Sequence, residues 1–359
     1  MFNLNEVCAV DVGFGYTKYQ SGNANGVPSQ FPSVVAEVRE KVNDIAVTSA
    51  VAYAPTSDTV LVTVGDGGLR RVGPSIFNCV ASNSSHRILE PNYSKTKEYL
   101  ALLRGALTYM NVTRVPVLVL SLPLSTYKSR RVALASSMQG THSLFRPTGE
   151  QYICNVQRVE VVPQPIAAYF HYLFTRINDG KGLDTSGKKV LLIDFGFYTI
   201  DWVVAQGMNI NAERSAANNG GMNYIVKEIA EEFTKDYNDP LPSEFLQMVD
   251  DALANQSYTV ELYGKRHSIK QYLSSAERRA RLPITALKNS VGDTADISDI
   301  VICGGGATFF APIVREMFKN NVVNVEKSQF AIVSGMRLMA LEFAKEKKAA
   351  PTAAAQEAP

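Results

Sequence analysis

The sequence predicts an α/β protein built as two related halves, each with an inserted subdomain, closed around a shared ligand. Three observations carry this. A strand–turn signature occurs twice, a triple glycine joins a strand to a helix late in the chain, and strand-like runs alternate with helical segments in both halves. The first copy of the signature reads Val10-Asp11-Val12-Gly13-Phe14-Gly15-Tyr16-Thr17-Lys18, and the second reads Ile193-Asp194-Phe195-Gly196-Phe197-Tyr198-Thr199-Ile200-Asp201. Each follows an apolar run, places an Asp at the strand end and a Gly two residues later, and then a Phe.

Residues 7–20 read as a β-hairpin in which Gly13 and Gly15 supply unusual backbone angles. Residues 34–94 mix short β-like pieces such as Val60–Val64 with turn clusters, as expected of an insert. Lys95–Asn111 has Leu100, Leu103, Leu107 and Met110 at helical spacing. Val115–Leu122 is a buried strand, Pro123–Met138 a turn and helix, and Glu160–Val162 ends another strand before Pro165 opens a helix. The second half repeats the plan. Val190–Gln206 is a hairpin, and Asn218-Asn219-Gly220-Gly221 leads into a helix over Met222–Asp236 with the asparagines as caps. Within a second insert, Ser257–Ile269 is a hairpin about Gly264, and Lys270–Asn289 reads as helices broken near Pro283. Ile300–Cys303 is a strand, Ala307–Lys319 a helix and Ser328–Lys345 a last helix. The expected division is 1–164 plus 331–346 for one domain (insert about 34–94) and 165–330 for the other (insert about 238–296). A disordered Ala- and Pro-rich tail is expected over 347–359.

Composition narrows the function. The 359 residues are 46% hydrophobic and 19% charged, enough apolar surface for two cores. A net charge of +2 gives no basis for direct nucleic-acid binding. No stretch is long and apolar enough to span a bilayer, and the N-terminus lacks the pattern of a signal peptide. Cys8, Cys79, Cys154 and Cys303 form no CxxC pair, which fits reduced thiols in the cytoplasm. His86, His142, His171 and His267 show no metal spacing. Basic clusters at Lys128–Arg131, Glu277–Arg281 and Lys345–Lys348 read as solvated faces, with polymer contacts as the alternative.

The repeated loops carry the chemistry. Phosphates must approach backbone N–H groups closely, and a Cβ at Gly13, Gly15 or Gly196 would block them. With Phe14, Tyr16, Thr17, Phe197, Tyr198 and the Thr199 hydroxyl, these residues make the candidate phosphate contacts. Asp11 and Asp194 at the strand ends are candidate holders of Mg²⁺ through water. Lys18 reaches the β- or γ-phosphate as a point charge. Asp201 reads equally as a strand-surface charge or a functional group. Gly304-Gly305-Gly306, between strand and helix, suits packing against a base or a phosphate. Gly220 and Gly221 open another helix, and Lys227 in that helix is counted with the nucleoside contacts. Gln164, at the strand-to-helix junction between the loops, suits orienting a water for in-line attack, with Asp194 as its catalytic partner.

Taken in order, these segments resemble the actin/hexokinase/heat-shock-chaperone ATPase superfamily over about residues 7 to 345. They are the first phosphate loop (Asp11–Lys18), first connecting segment (Pro163–Ala168), second phosphate loop (Asp194–Asp201), adenosine segment (Ile302–Phe309) and second connecting segment (Phe330–Arg337). Within it, Asp-x-Gly-Phe-Gly-Tyr-Thr-Lys looks like the bacterial and archaeal actin-like proteins, nearest the plasmid-segregation ParM/StbA type. Leu120-Ser121-Leu122-Pro123-Leu124 and Gln329-Phe330-Ala331 are similar to segments of those proteins. There are departures: Gln164 stands where they often have Glu, Ile332 where Asn is common, and Phe197 and Tyr198 where relatives have Gly or Thr. The resemblance implies an actin-like ATPase fold, ATP (with GTP also open) and Mg²⁺ as cofactors, and a cytoplasmic homopolymer filament that hydrolyses its nucleotide. It implies a small DNA-binding adaptor linking filament to plasmid DNA, and no membrane partner. The alternative on the same fold is a small-molecule kinase, which needs a base Asp in the cleft where this chain offers Gln164.

Overall fold

A computed structural model describes residues 7–22, 26–38, 58–65, 67–80, 87–90, 92–146, 148–180 and 187–349. Much of the first expected insert, His86 and residues 350–359 of the expected tail lie outside the described residues.

The first half runs β1 (Cys8–Val12), β2 (Tyr16–Ser21), β3 (Ser29–Pro32), β4 (Ala36–Glu37), β5 (Val60–Thr63) and β6 (Leu69–Val72). It continues through α1 (Lys97–Met110), β7 (Arg114–Val115), β8 (Leu118–Leu122), α2 (Leu124–Met138), β9 (Gly140–Phe145), β10 (Gln151–Val156) and β11 (Val159–Pro163). Helix α3 (Gln164–Asn178) crosses to the second half. There follow β12 (Lys189–Phe195), β13 (Ile200–Gln206), β14 (Asn209–Asn218), α4 (Met222–Asp236), α5 (Phe245–Ala254), β15 (Thr259–Leu262) and β16 (Lys265–Ser268). The chain ends with α6 (Leu273–Val291), β17 (Ile297–Cys303), α7 (Ala307–Met317), β18 (Asn321–Asn324) and α8 (Ala331–Ala349).

The two halves share one topology. The first sheet has the order β3-β2-β1-β8-β11, and the second has the order β14-β13-β12-β17-β18. In both, the first two pairings are antiparallel and the last two parallel. Parallel strands need covered faces, and three apolar clusters provide this. One lies under α1 and α2, with Leu102, Leu107, Leu118 and Leu120 fully buried. One lies under α4, α6 and α7, where Phe195 stacks on Phe310 at 4.4 Å. The third lies between the sheets and joins Ala9, Val119, Leu192 and Val301 to Ala167 of α3 and Met336 of α8. Helices α3 and α8 therefore tie the halves together at the base of the cleft.

Most expected elements are present, and four readings are corrected. Helix α6 is continuous, with Pro283 inside it. Pro283 leaves the Arg279 carbonyl without its helical donor, but Ile284 and Leu287 stay packed in the core under α4, α6 and α7, and Asn218 ties the turn by donating to the Pro283 carbonyl at 3.0 Å. Asn218 and Asn219 do not cap α4; Gly221 precedes that helix with no side-chain cap bond. Helix α8 extends to Ala349, into the expected tail. Gly13 and Gly15 are not among the glycines with positive φ. Their reason is space: a Cβ at Gly13 would sit 3.0 Å from the Tyr16 carbonyl oxygen, and one at Gly15 would sit 2.8 Å from Phe197 Cβ.

Candidate functional site

Both signature copies form the same turn. The Gly13 N–H donates to the Tyr16 carbonyl at 3.1 Å, and the Gly196 N–H donates to the Thr199 carbonyl at 3.0 Å. The hairpins β1–β2 and β12–β13 deliver these turns to facing edges of the two sheets, on either side of a cavity of about 390 Å³. That is room for a compact polar ligand. Asp11, Gly13, Phe14, Gly15, Tyr16, Lys18 and Gln164 line it from the first half and the crossover. Asp194, Gly196, Phe197, Tyr198, Thr199, Gly305 and Gly306 line it from the second. Among the described residues, the N–H groups of Phe14, Gly15, Phe197 and Tyr198 have no acceptor, as an anion cradle requires.

The floor of the cavity is acidic and buried. Asp11 Oδ1 accepts from Ser121 Oγ at 2.6 Å and from Gln164 Nε2 at 2.8 Å, so the carboxylate fixes the Gln164 side chain. Asp194 is buried, and among the described residues its side-chain donor is the weak Cys303 thiol at 3.9 Å. Burial pushes its carboxyl up to about 7; Lys18 opposes this, while Asp201 and Asp11 add to it. Two buried carboxylates facing a cavity beside one lysine form a donor set that a hydrated divalent cation suits. Among the described residues there is no cluster of three side chains for direct metal ligation.

Asp201 is no surface charge: it is fully buried. Its Oδ1 accepts from the Leu124 N–H at 3.3 Å, at the start of α2 in the other half. Burial raises its carboxyl to about 6, against the opposing hydrogen bonds from Thr199 and Leu124.

Five predicted contacts do not reach the cavity lining. The Thr17 side chain is buried against Ser33 Oγ at 3.0 Å. Gly220 packs on Pro283, and a Cβ at Gly221 would lie 2.6 Å from the Gly196 carbonyl oxygen. Gly304 has φ +91° and packs against Asp194 and the Phe195 carbonyl. Lys227 is exposed on α4. Within the triple glycine, Gly305 has open space where a Cβ would stand, whereas the Gly306 N–H is taken by the Phe195 carbonyl at 2.8 Å. Gly305 is thus the member that leaves room for a ligand.

Other lining residues escape sequence reading. Asp250, Asp251, Ala254 and Asn255 come from α5 and the residue after it, and Gln30 comes from β3. Helix α5 was visible in principle, since Phe245, Val249, Ala252 and Leu253 keep helical spacing. The bulky Phe197 and Tyr198 have places of their own. Phe197 packs on Gly15, and the Tyr198 ring lies 4.9 Å from that of Phe14.

Two sheets of one order, joined by two crossing helices and facing each other through duplicated hairpin turns, define a bilobed, actin-like fold. Residues 9–166 match the family model of the actin-like protein N-terminal domain, and residues 192–316 match that of the archaeal actin homologue MreB-like C-terminal domain. The chain belongs to the actin-like proteins. No curated protein sequence matches it significantly. Among solved structures, the archaeal actin homolog Ta0583 superimposes with a TM-score of 0.73 at 21% identity, covering 94% of this chain and 99% of that one. A complex of that protein with ADP has also been solved. A 15-stranded ParM filament from Clostridium botulinum gives 0.72 at 20% identity, covering 95% and 99%. The actin-like protein Alp7A gives 0.70 at 13%, covering 95% and 97%.

Proposed function

We propose that this protein is an actin-like ATPase that polymerises into nucleotide-dependent filaments and serves DNA segregation, in the manner of plasmid ParM proteins, through a DNA-binding adaptor. The observation that carries the nucleotide reading is the pair of equivalent turns facing one cavity, with two buried carboxylates and one lysine between them. Gly13, Gly15 and Gly196, with the free N–H groups of the two turns, would take the phosphates, and Lys18 would balance their charge. Gly305 would accept the nucleoside. Asp11 and Asp194 would hold Mg²⁺ through water, and the ion would supply charge neutralisation at the β- and γ-phosphates. Gln164, held by Asp11, would orient the attacking water and, with Asp194 opposite, form the catalytic pair. The domain division proposed with this reading is 1–164 plus 331–346 and 165–330.

The filament reading draws on likeness to ParM filament structures, and the adaptor on the same likeness. Right-angle light scattering and pelleting with Mg²⁺ and ATP, GTP, ADP or no nucleotide test it. Polymer that needs a nucleoside triphosphate supports the proposal and sets the ATP or GTP preference. Turnover without polymer under any condition refutes the filament reading and favours the kinase alternative.

A further inference from the structure

Tyr16 stands in the first phosphate loop, but its hydroxyl is committed elsewhere. It donates to Asp251 Oδ1 at 2.8 Å and accepts from Gln247 Nε2 at 2.6 Å. Gln247 Nε2 also donates to Asp251 Oδ1 at 2.7 Å, which closes a three-membered ring of hydrogen bonds. The Gln247 carbonyl oxygen accepts from the Arg87 guanidinium. That guanidinium lies 4.2 Å from the centroid of Phe197 and 5.7 Å from that of Tyr16. Tyr16 and Arg87 precede the crossover; Phe197, Gln247 and Asp251 follow it. The network therefore bridges the two halves where the first loop meets α5, and both Tyr16 and Asp251 form part of the cavity wall.

We infer that Tyr16, Gln247 and Asp251, backed by Arg87 and Phe197, are a latch across the mouth of the cleft that sets how fast nucleotide leaves and enters. This rests on the nucleotide reading of the cavity. The Tyr16 hydroxyl spends its one proton on Asp251 and takes one from Gln247, while Gln247 spends both amide protons and its oxygen inside the network. Tyr16 and Gln247 thus hold the mouth and leave their polar groups no proton for a ligand. Hydrogen bonds tolerate only a few tenths of an ångström of stretch, so α5 cannot swing from the first loop without breaking the ring. Gln247 is outside the cavity lining, so its substitution acts on a nucleotide only through the latch.

The test is the dissociation rate of a fluorescent ADP analogue, chased with excess unlabelled ATP. Tyr16→Phe deletes its bonds to Asp251 and Gln247 and keeps the aromatic side chain; Gln247→Met deletes the bonds of Gln247 to Tyr16, Asp251 and Arg87. Each is expected to release the analogue about tenfold faster, and the double variant no faster than about the quicker single, because the bonds belong to one unit. Unchanged release from Gln247→Met, with Tyr16→Phe accelerated, would make Tyr16 a direct contact and overturn the latch. Release within twofold of wild type for both variants would also overturn it. A wild-type protein that binds no analogue would instead remove the nucleotide reading, and the latch with it.

Discussion

Asp194 and Asp201 stand directly opposite each other across the β12–β13 ladder, where the first half sets Asp11 opposite Lys18 across β1–β2. The duplicated hairpin thus keeps its strand-end acid and exchanges a lysine for a second acid. Like charges directly opposite on adjacent strands repel, and here both are buried. Asp201 is held by the Thr199 hydroxyl and by the Leu124 N–H, the latter a helix cap supplied from the other half. Asp201→Asn retains an acceptor for Leu124 and removes a charge beside Asp194, so the nucleotide-free protein should gain about 1 kcal/mol of stability. Asp201→Ala loses the cap and should cost about 1 kcal/mol. Chemical denaturation of both variants measures the difference, and equal destabilisation would contradict the cap.

The buried acids also give the nucleotide-free protein a pH dependence. Asp194 is raised to about 7, and Asp201 and Asp250 to about 6, in each case chiefly by burial. Unfolded carboxyls ionise near pH 4. Between that value and 6 to 7 the folded state holds more protons than the unfolded one, so stability falls as pH rises through this window. Asp296, lowered by its bonds to Arg214 and Lys189, has the opposite sign, but its window lies below pH 4. The melting temperature without nucleotide should therefore be about 5 °C higher at pH 5.5 than at pH 7.5. Asp194→Asn should flatten that slope, as differential scanning calorimetry would register.

Gln164 offers a sharper test of the catalytic assignment. Its amide donates to Asp11 Oδ1 at 2.8 Å, and it is buried. Gln164→Glu would set a second acid against Asp11 in place of that donor. Turnover should fall about 100-fold with KM little changed, the signature of a group that acts on the attacking water and not on nucleotide binding. A rise in KM at constant kcat would instead make Gln164 a binding residue.

The hairpin turns and their place at the cavity were legible because their signal is local: an Asp, a Gly two residues on and an apolar run suffice. Thr17, Gly220, Gly221, Gly304 and Lys227 were read as contacts from sequence position alone, yet they turn to the core, another chain segment or solvent. Asp201 could not be resolved from sequence, since its burial depends on α2 arriving from the other half. Arg87 and Gln247 carry no motif, and they lie 160 residues apart. Helix α5 went unread although its apolar spacing was available, and even on a known helix an Asp reads as a solvated charge until a first-half tyrosine is found opposite it. Pro283 misled because a proline inside a helix removes one hydrogen bond without removing the packing of Ile284 and Leu287 on the second core.

Gly335 sets the crossing of the two helices that connect the halves. It lies on α8, where a Cβ would overlap the carbonyl oxygen of Ala167 on α3. Its φ is not positive, and an exposed helical glycine costs about 1 kcal/mol relative to alanine. Conformational freedom therefore does not account for it; close approach of the helices does. Gly335→Ala must push α8 from α3 against the shared core of Ala167, Val333 and Met336, at a net cost of about 2 kcal/mol after the gain in helix propensity. Gly65 serves as the control, with no positive φ and, among the described residues, nothing within 4 Å of the point where a Cβ would stand. Gly65→Ala should therefore lie within about 0.5 kcal/mol of wild type. Because α3 and α8 connect the halves through the shared core, Gly335→Ala should also weaken nucleotide affinity, by about threefold to tenfold in fluorescence titration. Loss of stability with affinity intact would show that the crossing bears on folding alone.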